Sequence, residues 1–315
     1  MRRVVRESGV ALALILLIAG FASLSPLFLT PGNVSNIFTQ IAINVILAVG
    51  MTFVILIGGI DLSVGSVMAF CAVVAGTVLK MPGLSDGVAI ALALLAGVSV
   101  GAACGLFNGL VTAWWGVPSF IVTLGMLNIA RGGALQWTDA RSIYEFPDVF
   151  NNFGTATVLG MPAIFLVALA LVAIGWLVLT RTVFGRLVYA IGNNEEAVRL
   201  AGHNVLGYKI AAFTICGATV GIGALIYMTR LTVASPILGI GFELNAIAAV
   251  IIGGTSLNGG RGSIVGTLLG ACIIGVLANG LILIGVGDFV RQIITGIVII
   301  LAVVVDAYRM RFTRK

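Results

Sequence analysis

Two long apolar segments are separated by Ile57-Gly58-Gly59-Ile60-Asp61-Leu62-Ser63-Val64-Gly65-Ser66-Val67, which we call the first break. A second break near the other end of the chain reads Ile252-Gly253-Gly254-Thr255-Ser256-Leu257-Asn258-Gly259-Gly260-Arg261-Gly262-Ser263-Ile264. Gly58, Gly59 and Leu62 recur there as Gly253, Gly254 and Leu257, and Gly65-Ser66-Val67 recurs as Gly262-Ser263-Ile264 after a two-residue insertion. Glycine-rich interruptions repeated in both halves of an apolar chain are typical of transport pores.

The composition predicts a membrane protein. Of 315 residues, 60% are hydrophobic and 9% are charged, with a mean hydropathy of +1.19. A soluble domain carries roughly 25% charged residues on its surface. The 42 glycines suit close helix packing in lipid, where small residues let backbones approach. Cys71, Cys104, Cys216 and Cys272 lie singly in apolar segments, so neither a disulfide nor a metal site is expected.

The apolar segments predict an all-α polytopic membrane protein with about ten transmembrane helices, and we treat residues 1–315 as one permease domain. The segments are 10–24, 37–60, 64–79, 88–111, 120–135, 163–179, 210–228, 243–257, 264–283 and 289–305. We interpret the first as a retained span and not a cleaved signal, because no small-residue cleavage site follows it. The eighth is shorter than the ~20 residues that a span needs, so a glycine pair can mark a partial helix.

The distribution of Lys and Arg sets the predicted orientation. With the N-terminus in the cytoplasm, twelve basic residues lie inside: Arg2, Arg3, Arg6, Arg181, Arg186, Arg199, Lys209, Arg261, Arg309, Arg311, Arg314 and Lys315. Five lie outside or near that face: Lys80, Arg131, Arg141, Arg230 and Arg291. Both termini are then cytoplasmic, which requires an even number of spans. The formal charge of +6 is explained by this topology, and no nucleic-acid partner is expected.

Two loops are long enough to dock partners. One, at about 137–159, is predicted to face outward, and the other, at about 181–209, to face the cytoplasm. Within the second loop, Glu195, Glu196, Arg199 and His203 have helical spacing, Ala197, Leu200 and Ala201 form an apolar side, and Gly202 or Asn204 ends the helix. The spacing fits a short amphipathic helix against a partner, but it fits a solvated connector equally well.

The same loop resembles a known docking element. Glu196-Ala197-Val198, with Gly202 six residues after the glutamate, is similar to the EAA loop by which ABC importer permeases dock on their ATP-hydrolysing subunits. Further stretches resemble ribose-type monosaccharide permeases over the whole chain: Ala48 to Ile55 running into Gly59 to Ser66, Tyr189 to Gly192, Glu243 to Val250 running into Gly253 to Leu257, and Val303 to Asp306. The Ile-x-Leu-Pro part of the general EAA pattern is absent.

The resemblance implies a homodimeric inner-membrane permease, embedded in lipid, with a cytoplasmic ATP-binding subunit and an outer sugar-binding protein. It assigns ATPase coupling to the loop residues Glu195, Glu196, Ala197, Arg199 and Gly202. This chain is then not an enzyme and holds no cofactor. None of its three lysines follows a glycine as in a Gly-Lys-Ser/Thr phosphate loop, so ATP would be bound by the partner subunit.

We expect the two breaks to act as gate hinges through Gly58, Gly59, Asp61, Ser63, Gly65, Gly253, Gly254 and Gly259. Twin substrate sites of an inverted repeat are the alternative, but the predicted topology puts both breaks on the cytoplasmic side. For Asp61 we favour a cap on a helix beginning at Leu62. Hydroxyl binding in the sugar path and proton coupling are the other hypotheses for this carboxylate.

Amides within apolar segments have two interpretations, namely bonds between helices and contacts with passing sugar hydroxyls. The possible sugar pathway residues are Asn44, Asn108, Asn128 and Asn279, with Gln136 and Asn245 as further amides. Arg131 and the Asp288/Arg291 pair can snorkel, pair with each other or contact the binding protein. An ion-coupled secondary sugar transporter and a receptor without flux stay open as alternative functions.

Overall fold

The computed structural model describes residues 2–313, with side chains described from residue 7 to residue 304. This range contains thirteen helices: α1 Arg2–Leu24, α2 Pro31–Leu56, α3 Val64–Leu79, α4 Asp86–Trp115, α5 Ser119–Trp137, α6 Asp148–Phe153, α7 Ala163–Arg181, α8 Val183–Asn193, α9 Glu195–Leu200, α10 Val205–Leu231, α11 Phe242–Ile252, α12 Ile264–Leu283 and α13 Asp288–Thr313. Two short strands, β1 Thr157–Val158 and β2 Met161–Pro162, form an antiparallel pair before α7.

The all-α class is confirmed, and each of the ten predicted apolar segments contains a helix. In the described part of the chain, six helices are long and apolar enough to cross a membrane, namely α1, α2, α4, α7, α10 and α12. Helices α3 and α11 are apolar but shorter. The terminal basic residues Arg2, Arg3, Arg6, Arg309, Arg311, Arg314 and Lys315 and the end of the Val303 to Asp306 motif fall outside the described side chains.

Helix α2 is the centre of the bundle. Every residue from Val45 to Leu56 is buried, and the helix packs against α7, α10, α11 and α12. A helix that is apolar all round has no face suited to water and is therefore stable as a buried element. The first break lies where this central helix ends, so a movement there reaches most of the bundle.

Glycines bring α4 and α10 into backbone contact. Gly97, Gly101 and Gly105 on α4 face Gly217 and Gly221 on α10. A Cβ added at Gly101 would overlap the carbonyl oxygen of Gly217, and one added at Gly217 would overlap that of Gly101. The high glycine content therefore serves close helix packing at this contact.

The eighth apolar segment, residues 243–257, contains the short helix α11, and irregular chain precedes it. Irregular residues 232–241 precede α11, which has only 11 residues. Ala234 lies against Gly76 near one end of α3, and the carbonyl of Gly239 lies against Gly65 near its other end. Eleven helical residues cover about 16 Å. The irregular chain therefore follows α3 for about half of the ~30 Å hydrocarbon thickness, and α11 covers a similar distance.

Arg131 of α5 supports this irregular chain. Its Nη1 donates hydrogen bonds to the carbonyl oxygens of Pro236, at 2.6 Å, and Leu238, at 3.0 Å. Gly239 and Gly241 have positive φ angles of 78° and 85°, which glycine adopts without steric cost. The side chain of Glu243 accepts a bond from the Gly241 amide at the start of α11. Arg131 thus satisfies carbonyl groups that no regular ladder satisfies.

Candidate functional site

The predicted loop helix is α9. It begins after Asn194, whose Oδ1 accepts a hydrogen bond from the Ala197 amide at 3.0 Å. It ends in a Schellman motif, in which Gly202 has a φ of 82° and the His203 amide donates to the carbonyl of Val198. The predicted end at Gly202 is therefore present in the structure.

Ion pairs tie the charged side chains of α9 to each other and to α10. Arg199 binds Glu195 at 2.9 Å and Glu196 at 3.1 Å, and Lys209 binds the second oxygen of Glu195 at 2.6 Å. Surface pairs of this kind contribute about 0–1 kcal/mol each. Their consequence is geometric, because Glu195 connects the helix to the start of α10.

The predicted apolar side of α9 does not pack on the bundle of its own chain. Val198 is the buried residue, with 7% of its surface exposed, whereas Leu200 is 80% exposed. Ala197 and Ala201 are exposed as well. The three apolar residues grouped by the sequence pattern, Ala197, Leu200 and Ala201, therefore point away from the bundle and are exposed to a partner.

Helix α8 connects α9 to both breaks. The Nδ2 atom of Asn193 donates to the carbonyl of Gly260 at 3.1 Å, and the hydroxyl of Tyr189 donates to that of Gly262 at 3.1 Å. A Cβ added at Gly192 would overlap both the Leu56 carbonyl and the Gly260 amide. One face of α8 therefore packs directly on the end of α2 and on the second break.

The two breaks also touch each other. The Gly260 amide donates a hydrogen bond of 2.8 Å to the carbonyl of Leu56. Gly259 packs closely on Gly58 and Gly192, with a φ of 80°. We call this group of Leu56, Gly58, Gly192, Asn193 and the loop from Gly259 to Gly262 the glycine junction, and the end of the bundle where it lies the junction end.

The helix ends at the two breaks have the same cap. Gly58 and Gly254 are both left-handed, with φ of 78° and 88°. The amides of Gly59 and Thr255 donate to the carbonyls of Val54 and Val250, five residues earlier in each case.

The structure therefore aligns Gly58 with Gly254, one position away from the correspondence predicted by sequence identity. The following helices begin after Ser63 and Ser263, so the second break is also longer than the predicted alignment implies.

The prediction that Asp61 caps a helix beginning at Leu62 is wrong. Helix α3 begins at Val64, and its N-cap is Ser63. The Oδ1 atom of Asp61 instead accepts bonds from the amide of Ser63, at 2.9 Å, and from its hydroxyl, at 2.6 Å. Asn108 donates to Ser63 Oγ at 3.1 Å. Asp61 is only 3% exposed. Its carboxylate organises the chain just before α3, together with Ser119 and Thr123 of α5, which bind the Ile60 and Leu62 amides.

Gly65 is separated from the other predicted hinge residues. It packs on the Gly239 carbonyl and the Glu243 side chain, at the start of α11 and not at the glycine junction. Gly253, in the second break, packs on Gly266 in the first turn of α12. The structure thus groups Gly58, Gly59, Gly254 and Gly259 at one end of the bundle and places Gly65 apart from them, in the first turn of α3.

The four predicted pathway amides have different environments. Asn108 is fully buried against Asp61 and Ser63, and Asn279 is 4% exposed and exchanges two 3.0 Å bonds with Asn33. These two serve contacts between helices. Asn44 is half-buried on α2. Asn128 is exposed on α5, and its Nδ2 donates to the Leu124 carbonyl one turn earlier.

The roles of two residues in the site, Asn193 and Glu7, were not predicted from the sequence. Asn193 was part of the loop, but its bond to Gly260 joins positions far apart in sequence. Glu7 of α1 accepts a 2.7 Å bond from the hydroxyl of Ser263, which caps α12 by accepting from the Gly266 amide. The clustering of Tyr189 and Asn193 one helical turn apart was the available hint.

The site consists of close backbone contacts between glycines, hydrogen bonds to backbone carbonyls and ion pairs at the surface. Among the side chains that the structure describes, no group of three or more His, Cys, Asp or Glu residues is arranged to hold a metal ion. Arg291 and Asp288 form the predicted pair at 2.6 Å.

Comparisons of the sequence with known proteins find one family and several relatives. A family model described as branched-chain amino acid transport system / permease component matches residues 33–303. The chain is similar to the ribose import permease protein RbsC of Escherichia coli K12, with 43% identity over 95% of this chain and 93% of the relative.

It is also similar to RbsC of Bacillus subtilis, with 42% identity over 96% of this chain and 93% of the relative. The D-allose transport system permease protein AlsC of Escherichia coli K12 is 39% identical over 95% of this chain and 90% of the relative. No solved structure matches.

Proposed function

The chain belongs to the permease family described as branched-chain amino acid transport system / permease component, and from this membership we propose that it is the membrane subunit of an ATP-driven monosaccharide importer. Its relatives are named as import permeases for ribose, allose, arabinose and galactose. Ribose is the first candidate substrate because the RbsC relatives share 40–43% identity. Such a permease is a multi-pass inner-membrane transport component and not an enzyme.

The observation that carries the mechanism is the glycine junction. The exposed residues Ala197 and Leu200 of α9 offer an apolar contact to the ATP-binding subunit. From α9, the chain leads through Asn193 to the second break and through Gly192 to the end of α2. A displacement of α9 when the ATPase closes therefore moves both breaks together. We assign coupling to Glu195, Glu196, Ala197, Arg199 and Gly202, and the hinges to the junction glycines.

The contacts at the junction also support the proposed topology of ten spans with cytoplasmic termini. Both breaks and α8 lie at the same end of the bundle. An even number of crossings must therefore separate each pair of them. Helices α3, α4, α5 and α7 separate the first break from α8, and α10 and the broken span ending in α11 separate α8 from the second break. The glycine junction then faces the cytoplasm.

The remaining partners follow from the family. ABC importer permeases work with an ATPase and a binding protein, and we propose that this chain pairs with a second copy in the lipid bilayer to enclose the sugar path. ATP is then bound by the partner subunit and not by this chain. The path changes its access by movement at the hinges, without covalent chemistry.

The test uses the permease reconstituted with its ATPase and sugar-binding protein in proteoliposomes. We expect ATP-dependent [¹⁴C]ribose uptake. Gly202→Leu should abolish both uptake and sugar-stimulated ATP hydrolysis, because the bulky side chain alters the end of α9. Gly83→Leu is the matched control, since Gly83 has a φ of 81° against 82° for Gly202 and both have open space around them.

Both variants carry the same backbone strain, of about 1–2 kcal/mol. Normal transport by Gly202→Leu would refute the coupling assignment. Uptake that persists without ATPase and collapses with an ion gradient would instead identify an ion-coupled transporter.

A further inference from the structure

We propose that one face of α5, together with the irregular chain before α11, lines the aqueous sugar path. The face consists of Gly125, Asn128, Gly132, Gln136, Ile237 and Ile240. This inference rests on the proposed function and extends it to the place where the sugar passes.

Helix α5 differs from the six long apolar helices α1, α2, α4, α7, α10 and α12. It has 19 residues and is long enough to span a bilayer, yet it is not among the six helices that are also apolar enough. The polar residues Asn128, Arg131 and Gln136 lower its hydropathy. A helix of this kind suits a position where one side meets water.

Two amides and two glycines of α5 form a stripe on one exposed face, which also carries the apolar residues Ile121 and Ile129. Gly125, Asn128, Gly132 and Gln136 follow one another at spacings of three, four and four residues, which places them on one helix face. All four are exposed. The opposite face, with Thr123, Met126, Ala130 and Ala134, is buried.

Asn128 lies nine residues from each end of α5, or about 13 Å. It is therefore near the middle of the bilayer, where an exposed amide in contact with lipid would be unfavourable.

The irregular chain beside the stripe exposes two of its side chains. Arg131 joins the two, because it is on α5 and binds the carbonyls of Pro236 and Leu238. Ile237 and Ile240 are 61% and 68% exposed. Irregular backbone at membrane depth is tolerated only where it is buried in protein or lines a water-filled cavity. Pro236, Leu238 and Gly239 are buried, so the backbone here is covered by protein, and the segment contributes to the face through the exposed side chains of Ile237 and Ile240.

The chemistry of the face fits a polyhydroxylated ligand. The amides of Asn128 and Gln136 provide both donors and acceptors, as sugar hydroxyls require. The glycines leave space beside them. A pair of amides on an open face holds a sugar weakly, which suits a path that receives its cargo from a separate binding protein.

Cysteine accessibility tests the proposal. In a variant with Cys71, Cys104, Cys216 and Cys272 replaced by alanine, single cysteines replace Asn128 or Gly132 on the stripe. Leu95→Cys on α4 and Ile174→Cys on α7 are matched controls, since these residues are 64% and 56% exposed near the middle of apolar helices. The complex is treated with a charged methanethiosulfonate reagent and then, separately, with a lipid-soluble maleimide.

We expect the charged reagent to modify the stripe cysteines at least tenfold faster than the two controls, and ribose in millimolar excess to slow this reaction. Equal, slow reaction at all four positions, with ready labelling by the lipid-soluble maleimide, would overturn the proposal because the stripe would then face lipid. Stripe cysteines that resist both reagents and form a disulfide between two copies would also overturn it, because the face would be a dry contact.

The result is distinguishable from a failure of the proposed function. Uptake of ribose by the alanine-substituted parent is measured first, and it tests transport without reference to α5. As a second measurement, Asn128→Leu should reduce the uptake rate by about 2- to 10-fold through loss of one hydrogen-bonding group, whereas Leu95→Ala should not.

Discussion

The Nδ2 atom of Asn193 lies 3.1 Å from the carbonyl oxygen of Gly260, and it also donates a 2.8 Å bond to the carbonyl of Tyr189 in its own helix. One side chain therefore links the helix that precedes α9 to the second break. Because Gly260 in turn donates to Leu56, this contact is one step away from the end of the central helix. Through these two hydrogen bonds, the predicted docking loop is connected to both predicted hinges.

Asn193→Ala should separate ATPase docking from transport. The substitution removes the bond to Gly260 and leaves α9 unchanged, so the ATPase should still bind while ribose uptake falls by about 2- to 10-fold. Co-purification of the ATPase with the permease measures docking, and ribose uptake in proteoliposomes measures transport. Asn258→Ala, at an exposed position in the same break, is the control and should transport normally. Equal loss of ATPase binding and uptake in Asn193→Ala would show that Asn193 acts on docking alone.

Gly192→Ala should destabilise the junction. A Cβ at this position would overlap backbone atoms of Leu56 and Gly260, which cannot move without shifting both breaks. Overpacking of this kind costs about 1–3 kcal/mol. Gly87→Ala in the first turn of α4 is the matched control, because nothing lies near its added Cβ and alanine favours a helix by about 0.5–1 kcal/mol. Thermal unfolding in detergent should show a lower midpoint for the first variant and an unchanged or higher one for the second.

The predictions that were confirmed concern features set by the local sequence, and those that were wrong concern features set by tertiary contacts. Apolar segments are visible in the sequence because each helix must be apolar along its own length, so every predicted segment contains a helix. The packing side of α9 was not visible, since Val198 rather than Leu200 contacts the bundle and that choice depends on distant elements. The predicted alignment of the two breaks paired identical residues, Gly58 with Gly253, whereas the structure aligns the left-handed caps Gly58 and Gly254. The helices and breaks of the site could thus be predicted from the sequence, but the contacts between them could not.

Asn33 and Asn279 should behave as a structural pair. Their amides exchange two bonds of 3.0 Å between α2 and α12. A double-mutant cycle with leucine at each position should give a coupling energy of about 0.6 kcal/mol, and at most ~1.7 kcal/mol, by analogy with other membrane proteins. Unfolding of the four proteins in detergent gives this energy. The double variant should still import ribose. Loss of ribose uptake in a stably folded double variant would instead support a role for Asn279 in the sugar pathway.

Asp61 should act through its hydrogen bonds and not through a transported proton. Asp61→Asn keeps a carbonyl oxygen that can accept from the amide and hydroxyl of Ser63, whereas Asp61→Ala leaves both donors buried without it. An unsatisfied buried donor costs about 1–3 kcal/mol, so the alanine variant should unfold at a lower temperature and the asparagine variant should stay close to the parent. Ribose uptake by Asp61→Asn, measured at pH 6 and pH 8, should follow the pH dependence of the parent. An inactive but stably folded Asp61→Asn would contradict the structural role, because the bonds to Ser63 would be kept while the negative charge and the carboxylate oxygen that accepts from Asn108 at 3.5 Å would be lost.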